Sequence, residues 1–159
     1  MPIKEGDQAP KFELPQKPKD MVNVGDLIGK QRIVLLFFPF AFSPVCTEEM
    51  CHFRDTWKQW ESLDAKIFAI SVDSPFVVDR FREDQQIPFQ VLSDFNKEVS
   101  SQYGGLHDDL IGLKGVAKRS AFVIAQDGTI AYKWVTDDPR VQVPFDVVKA
   151  ALDSVAVAN

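Results

Sequence analysis

One stretch decides the fold: residues 32–46 read RIVLLFFPFAFSPVC. Its first seven residues are almost all apolar or β-branched, which is typical of a strand buried on both faces. A proline ends this run. Ser43-Pro44 then predicts a helix start, with serine as the N-cap and proline at the first helical position. The stretch therefore predicts a buried strand that leads through a short loop into a helix, with Cys46 in the first helical turn.

The residues that follow complete a strand-helix-strand unit. Apolar side chains recur at spacings of three and four, which places them on one helical face: Met50, Phe53, Trp57 and Trp60. A second apolar run, Lys66 to Val72, has the character of another buried strand. Such a unit joins two parallel strands by a right-handed connection.

The second half of the chain also alternates helices and strands, but it ends with a β-hairpin and a helix. The pattern predicts a helix from Ser74 to about Asp84, a short strand at Val91-Leu92 and a short helix from Glu98 to Tyr103. It then predicts a hairpin of Ala121–Ile124 and Ile130–Val135 around Asp127-Gly128. A last helix follows Pro144, and its apolar residues share one face: Phe145, Val148, Leu152 and Val155. The first 30 residues predict a lead-in with a hairpin. This order predicts an α/β, thioredoxin-like fold, with a central mixed β-sheet flanked by helices and an N-terminal extension.

Length and composition narrow the class of protein. The 159 residues suit one domain spanning 1–159, and the net charge of −5 argues against a nucleic-acid binder. No apolar run approaches the roughly 20 residues that span a bilayer, and the first residues lack the apolar segment of a secretory signal. We therefore expect a cytoplasmic protein with neither a nucleic-acid nor a membrane partner. Cytosolic disulfides are usually transient or catalytic, so the two cysteines need an explanation.

Cys46 falls at about the third position of the predicted helix. A thiol there faces unpaired backbone N–H groups and the positive end of the helix dipole, and both favour the thiolate. Position alone also allows a buried cysteine that packs as a small apolar residue.

The residues around Cys46 resemble the active-site loop of peroxiredoxins, the thiol peroxidases built on the thioredoxin fold. The family motif, P-x-x-x-T-x-x-C with serine allowed for threonine, is matched by Pro39, Ser43 and Cys46. Arg119, at the head of a predicted strand, matches the family's arginine. The resemblance covers nearly the whole chain. It implies an antioxidant enzyme that reduces hydrogen peroxide and organic hydroperoxides to water and alcohols.

The resemblance also implies a role for each matched residue. Cys46 attacks the O–O bond as a thiolate and becomes a sulfenic acid, with Ser43 and Arg119 completing the catalytic set. Glu49 matches a family position that orients the arginine. The implied substrate-binding residues are Pro39, which shields the thiolate from water, Ser43, Arg119, and Val45 and Cys46, whose backbone N–H groups stabilise the leaving oxygen.

Cys51 lies five residues after Cys46, which puts their Cα atoms roughly 8–9 Å apart on an intact helix. A disulfide needs them within about 7 Å, so the first helical turns must unwind before the pair can bond. The spacing and Phe53-Arg54-Asp55 resemble the bacterioferritin-comigratory (Q) subfamily, whose second cysteine resolves the sulfenic acid. Phe40-Ala41-Phe42 resembles the alkyl-hydroperoxide-reductase-E-like one-cysteine group. Cys51 is thus either the resolving cysteine or an apolar neighbour, with an outside thiol attacking Cys46.

The sequence argues against three other functions. The only cysteines and histidines are Cys46, Cys51, His52 and His107. Their spacing does not match a zinc knuckle, so we expect no metal or other cofactor, and histidines that are solvated or locally satisfied. A disulfide oxidoreductase needs C-x-x-C, which is absent. A non-peroxidase thioredoxin-fold redox or binding module does not need the complete motif.

The expected partners are a hydroperoxide and a reductant such as thioredoxin, glutaredoxin or a similar dithiol protein. We expect the aromatic surroundings of Cys46 to accept organic hydroperoxides: Phe38, Phe40, Phe42 and Trp57. The resemblance places the loop of residues 40–42 at a homodimer contact. Members of the Q subfamily are often monomers, so both oligomeric states stay open.

Overall fold

A computed structural model describes residues 3–155 of the chain. The strands are β1 (Glu13–Lys17), β2 (Asp20–Asn23), β3 (Ile33–Phe37), β4 (Lys66–Ser71), β5 (Gln90–Ser93), β6 (Leu106–His107), β7 (Val116–Ala117), β8 (Ser120–Ile124) and β9 (Ile130–Val135). The helices are α1 (Pro44–Asp55), α2 (Trp57–Glu61), α3 (Pro75–Gln85), α4 (Glu98–Gln102) and α5 (Phe145–Ser154).

Five strands form the central sheet, in the order β5-β4-β3-β8-β9. Strand β3 pairs in parallel with β4 and antiparallel with β8, so the sheet is mixed, as predicted. The parallel pair is the strand-helix-strand unit of the sequence. The N-terminal hairpin of β1 and β2 is also present, as a separate two-stranded sheet.

The central strand β3 is buried on both faces because its alternate side chains enter two different cores. Val34 and Leu36 pack with α1, α2, α3 and α5, whereas Ile33, Leu35 and Phe37 pack with the N-terminal segment and α4. Every residue of β3 is at most 1% exposed. Helices flank both faces of the sheet, as predicted: α1, α2, α3 and α5 pack on one face and α4 on the other.

Two local predictions were wrong or incomplete. The helix predicted through Trp60 ends at Asp55 and resumes as α2, with Thr56 between them in a non-helical conformation. Trp60 still reaches the core, while Trp57 is half-buried. The small hairpin of β6 and β7 was not predicted.

Within residues 3–155, no helix is long and apolar enough to span a bilayer.

Candidate active site

Cys46 is the third residue of α1 and is 1% exposed. The N-terminus of α1 follows strand β3 and its loop, so it lies at the end of the central strand of the sheet. The proline at position 44 has no N–H, and the backbone N–H groups of Val45 and Cys46 have no partner within the helix. Two donors and the positive end of the helix dipole therefore lie beside the sulfur.

The loop before α1 is fixed by polar contacts rather than by a serine cap. Ser43 is the N-cap residue, as predicted, but its side chain accepts no hydrogen bond from a helical N–H. Its hydroxyl instead donates to the Phe40 carbonyl at 2.8 Å. The Ala41 N–H donates to Oδ2 of Asp73 at 2.7 Å, which ties the loop to the end of β4.

Arg119 lies directly before β8 and is 1% exposed. Its Nη2 donates to the Cys46 sulfur at 3.1 Å and to the Pro139 carbonyl at 3.0 Å. Its Nη1 donates to Oε2 of Glu49 at 2.8 Å. The guanidinium is thereby held against the sulfur, where its charge stabilises a thiolate.

Glu49 is fully buried one turn after Cys46 on α1. Its Oε1 accepts the Val143 N–H at 2.8 Å, and its Oε2 accepts from Arg119. Burial raises the pKa of this carboxyl, and the opposing effects of Arg119 and the Val143 N–H do not fully offset it. The pair therefore orients the arginine, and burial makes it a weak source of stability.

This direction of shift gives a prediction for stability. Above pH about 4.5 the folded state holds the Glu49 proton more tightly than the unfolded chain, so the group lowers stability as pH rises towards its folded pKa. We expect Glu49→Gln to remove this contribution, so that the free energy of unfolding of the variant, relative to wild type, increases across that window. Urea unfolding at several pH values measures it.

The control is Glu48→Gln, which changes the exposed neighbour on the same helix. Its unfolding free energy should follow the wild-type pH dependence. A Glu49→Gln curve parallel to wild type would contradict a raised pKa.

Cys46 and Arg119 line a cavity of about 190 Å³. The lining residues come from four segments: Pro39, Phe40, Ser43, Pro44, Val45 and Cys46 from the loop and helix start, Leu110 and Ile111 from the turn between β6 and β7, Arg119 directly before β8, and Pro139 and Arg140 after β9. All five residues to which the family resemblance assigned substrate binding line this cavity. The cavity is small and mostly apolar, which suits a hydroperoxide with a compact apolar group.

Sequence reasoning missed the wall formed by Leu110 and Ile111. Ile111 is 85% exposed and has a φ of +49°, a left-handed conformation that is rare for a β-branched residue. The surrounding glycines at 104, 105, 112 and 115 signalled turns, but no periodicity indicated where the turn would lie. Sequence reasoning also missed the Pro139 carbonyl and the Asp73 carboxylate, since both act through contacts distant in the chain.

Of the four aromatic residues expected around the substrate, only Phe40 lines the cavity. Phe38 and Phe42 both pack on Phe81, with ring centroids 5.8 Å and 5.2 Å away, and Trp57 packs on Phe89. The prediction was wrong for these three because they face the core or the outer side of the loop.

The two histidines lie apart from Cys46. His52 stacks on Phe145 with centroids 3.8 Å apart. His107 is buried, and its Nε2 has no hydrogen-bond partner among the described residues, so the expectation of a satisfied histidine was wrong here. Burial, with help from Lys118, lowers the pKa of His107. Within residues 3–155, no group of three or more His, Cys, Asp or Glu side chains could hold a metal ion.

Cys51 lies on the same uninterrupted helix as Cys46, and both are free thiols. Its side chain is half-buried, and its thiol donates to Oε1 of Gln85 at 3.5 Å. Gln85 is the last residue of α3. The resolving candidate is therefore turned towards α3, away from Arg119.

Comparison with known proteins agrees with this geometry. The model of the AhpC/TSA family matches residues 5–133. The chain belongs to the AhpC/TSA family. Peroxiredoxin Bcp of Escherichia coli K12 is 35% identical over 149 residues, covering 92% of this chain and 94% of that protein.

Solved structures of peroxiredoxins have the same fold. Peroxidoxin BcpB of Mycobacterium tuberculosis superimposes with a TM-score of 0.83 at 30% identity, covering 98% of this chain and 99% of that one. A peroxiredoxin-like protein of Aquifex aeolicus gives a TM-score of 0.86 at 26% identity, covering 98% and 90%. The predicted thioredoxin-like fold and family are confirmed.

The chain is thus a peroxiredoxin and a thiol-dependent peroxidase, an enzyme class that acts on hydroperoxides with thiol reductants. The alternative, a non-peroxidase redox or binding module, is not favoured. The Bcp relatives agree with the resemblance to the bacterioferritin-comigratory subfamily.

Proposed function

We propose that Cys46 is the peroxidatic cysteine of this peroxiredoxin. The observation that carries the proposal is the 3.1 Å contact between Nη2 of Arg119 and the Cys46 sulfur beside the cavity. A positive charge and two backbone donors surround the buried sulfur. The arrangement is that of an activated nucleophile.

In the first half-reaction, the Cys46 thiolate attacks one oxygen of the hydroperoxide. An S–O bond forms as the O–O bond breaks, so the sulfur is oxidised to sulfenic acid and the peroxide is reduced. The leaving alkoxide or hydroxide takes a proton and becomes alcohol or water. Negative charge thus moves from sulfur to the leaving oxygen during the step.

The donors around Cys46 suit this movement of charge. Backbone N–H groups of Val45 and Cys46 and the guanidinium of Arg119 are fixed before reaction, so they stabilise the leaving oxygen without reorganisation. The Ser43 hydroxyl already donates its proton in a hydrogen bond to the Phe40 carbonyl. We therefore assign Ser43 as an acceptor that orients the peroxide O–H, rather than as a donor.

Pro39 and Glu49 serve these groups indirectly. Pro39 is buried in the cavity wall and brings no N–H, so it limits water around the thiolate. Glu49 anchors Arg119 on one side and the Val143 amide on the other. Both are positioning residues for the catalytic set of Cys46, Ser43 and Arg119.

We further propose that Cys51 is the resolving cysteine. Its thiol attacks the Cys46 sulfenic acid, an S–S bond forms, and water leaves. A dithiol protein such as thioredoxin or glutaredoxin then reduces the disulfide. The cytoplasm is the compartment that we propose, because it supplies such reductants. For a homodimer, the proposed contact is the loop of residues 40–42, where Phe42 is 47% exposed.

The test of the function is oxidation followed by mass measurement. Reduced protein treated with a slight excess of hydrogen peroxide should gain one oxygen and then lose it as two hydrogens depart, and peptide mapping should place the change at Cys46. A protein that consumes no low-micromolar peroxide with a dithiol reductant would not be acting as proposed.

The apolar cavity wall gives a prediction on substrate choice. Ile111 is the exposed tip of that wall, so it meets the alkyl group of an organic hydroperoxide but not hydrogen peroxide itself. We expect Ile111→Ser to lower kcat/KM for tert-butyl hydroperoxide by about threefold to tenfold, which corresponds to losing about 1 kcal/mol of apolar contact. The value for hydrogen peroxide should be unchanged.

Leu113→Ser is the matched control, since Leu113 lies on the same turn, is 47% exposed and does not line the cavity. It should leave both values unchanged. Equal losses for both peroxides in Ile111→Ser would show that the residue does not select substrate.

A further inference from the structure

The side of α1 that carries Cys51 is tied to the end of α3. Gln85 receives two donors from it: the Cys51 thiol at its side-chain Oε1, 3.5 Å away, and Nη1 of Arg54 at its backbone carbonyl, 2.9 Å away. Cys51 and Arg54 are three residues apart, so they lie on one face of the helix. Gln85 of α3 thus accepts hydrogen bonds from two side chains of the turn that contains Cys51.

The two ends of α1 are held differently. The rear half carries the ties to Gln85, and Phe53 within it is fully buried. At the front, Pro44 is exposed and Ser43 provides no side-chain cap. Unwinding that brings Cys46 towards Cys51 must break the contacts of Cys46 and Glu49 with Arg119, whereas it leaves the contacts of Cys51 and Arg54 with Gln85 in place.

Arg54 carries its positive charge on the same face of α1 as Cys51, and both side chains donate to Gln85. Its Nε donates to the exposed Asp55 at 3.0 Å, while Nη1 points to α3. The pKa of Arg54 is raised, first by its hydrogen bond to Asp55 and also by its electrostatic interaction with Cys51. A fixed cation next to a thiol favours the thiolate, which is the form that attacks sulfur.

We propose that Arg54 is a positioning residue for Cys51: it anchors the Cys51 turn on α3 and supplies the charge that favours the attacking thiolate. The inference rests on the proposed role of Cys51. In the step, the Cys51 sulfur forms a bond to the Cys46 sulfur and the S–OH bond breaks. The departing hydroxide takes the proton that Cys51 lost, which gives water.

The first test isolates Cys51 and does not depend on its role in the cycle. In a Cys46→Ser background, Cys51 is the only thiol, and iodoacetamide reports how much of it is thiolate. We expect Arg54→Met to slow alkylation by about threefold or more, because the loss of thiolate outweighs the gain in intrinsic nucleophilicity. Arg54→Lys keeps the charge and should stay within about twofold of its parent.

Arg80→Met is the matched control. Arg80 is an exposed arginine on α3 that pairs with Asp84 at 3.0 Å, so it has the same chemistry without contact to Cys51. It should leave alkylation unchanged. An unchanged rate in Arg54→Met, or equal slowing in Arg54→Met and Arg54→Lys, would overturn the role of the charge.

The second test follows the disulfide-forming step in protein that retains Cys46. After rapid mixing with peroxide and acid quenching, mass measurement separates the sulfenic acid from the disulfide. We expect Arg54→Met to leave sulfenic acid formation unchanged and to slow disulfide formation by about threefold or more. Arg54→Lys should restore most of the rate, and an unchanged rate in Arg54→Met would overturn the proposal.

The two tests also separate the proposal from the function on which it rests. Wild-type protein that never forms the intramolecular disulfide would show that Cys51 is not the resolving cysteine, and the positioning role would fall with it. The alkylation result would then still decide whether Arg54 acts on the Cys51 thiol.

Discussion

Cys46→Ser is expected to reduce peroxide consumption by this peroxiredoxin to the uncatalysed rate. Serine presents a hydroxyl that remains protonated, even beside Arg119, and an alkoxide is not available to attack the O–O bond. Stopped-flow consumption of hydrogen peroxide, with a dithiol reductant supplied in excess, measures the loss.

This variant is informative because it changes little else. The serine oxygen can still accept from Nη2 of Arg119, which donates to the sulfur in the native protein. The fold should survive, as thermal unfolding would verify. Cys51→Ser is the matched control, since it removes the other thiol and should leave the first oxidation intact. Peroxide consumption by Cys46→Ser at the wild-type rate would place the nucleophile elsewhere.

The fold was predictable because its central elements carry strong local signals. Strand β3 is apolar at every position, and such a run has few alternatives to burial on both sheet faces. The start of α1 was marked by Ser43-Pro44, and that start places Cys46 in the first turn. The link between Cys46 and Arg119 spans 73 residues of chain, and it was predicted only through resemblance to a family.

Other features depended on contacts that no local pattern encodes. Ser43 is the N-cap residue, yet its hydroxyl donates to the Phe40 carbonyl and accepts from no helical N–H, which the residue type alone does not predict. The helix break at Thr56 falls within an uninterrupted amphipathic pattern. Leu110 and Ile111 are two apolar residues among glycines and aspartates, too few to show a period, and only the β6 and β7 pairing brings them to the cavity.

Cys51→Ser is expected to stop turnover with thioredoxin while leaving the first oxidation of Cys46 at its wild-type rate. The reason is geometric. With α1 intact the Cα atoms of the two cysteines are roughly 8–9 Å apart, so the sulfenic acid forms without help from Cys51 and needs it only after the helix opens. Coupled thioredoxin assays measure turnover, and rapid quenching with mass measurement follows the first step.

Without Cys51, the sulfenic acid of Cys46 persists and meets further peroxide. Over-oxidation to sulfinic acid should therefore rise in Cys51→Ser under excess peroxide, as the oxidation ladder of two-cysteine peroxiredoxins leads one to expect. A small thiol such as dithiothreitol should restore part of the turnover if it reaches the sulfur through the cavity, which serves as the control for an intact first half-reaction. Unchanged turnover with thioredoxin would mean that an outside thiol attacks Cys46 directly, and that Cys51 packs against α3 as a structural residue. The hydrogen bond from Cys51 to Gln85 would then be the native role of this thiol, instead of the resting position from which it attacks.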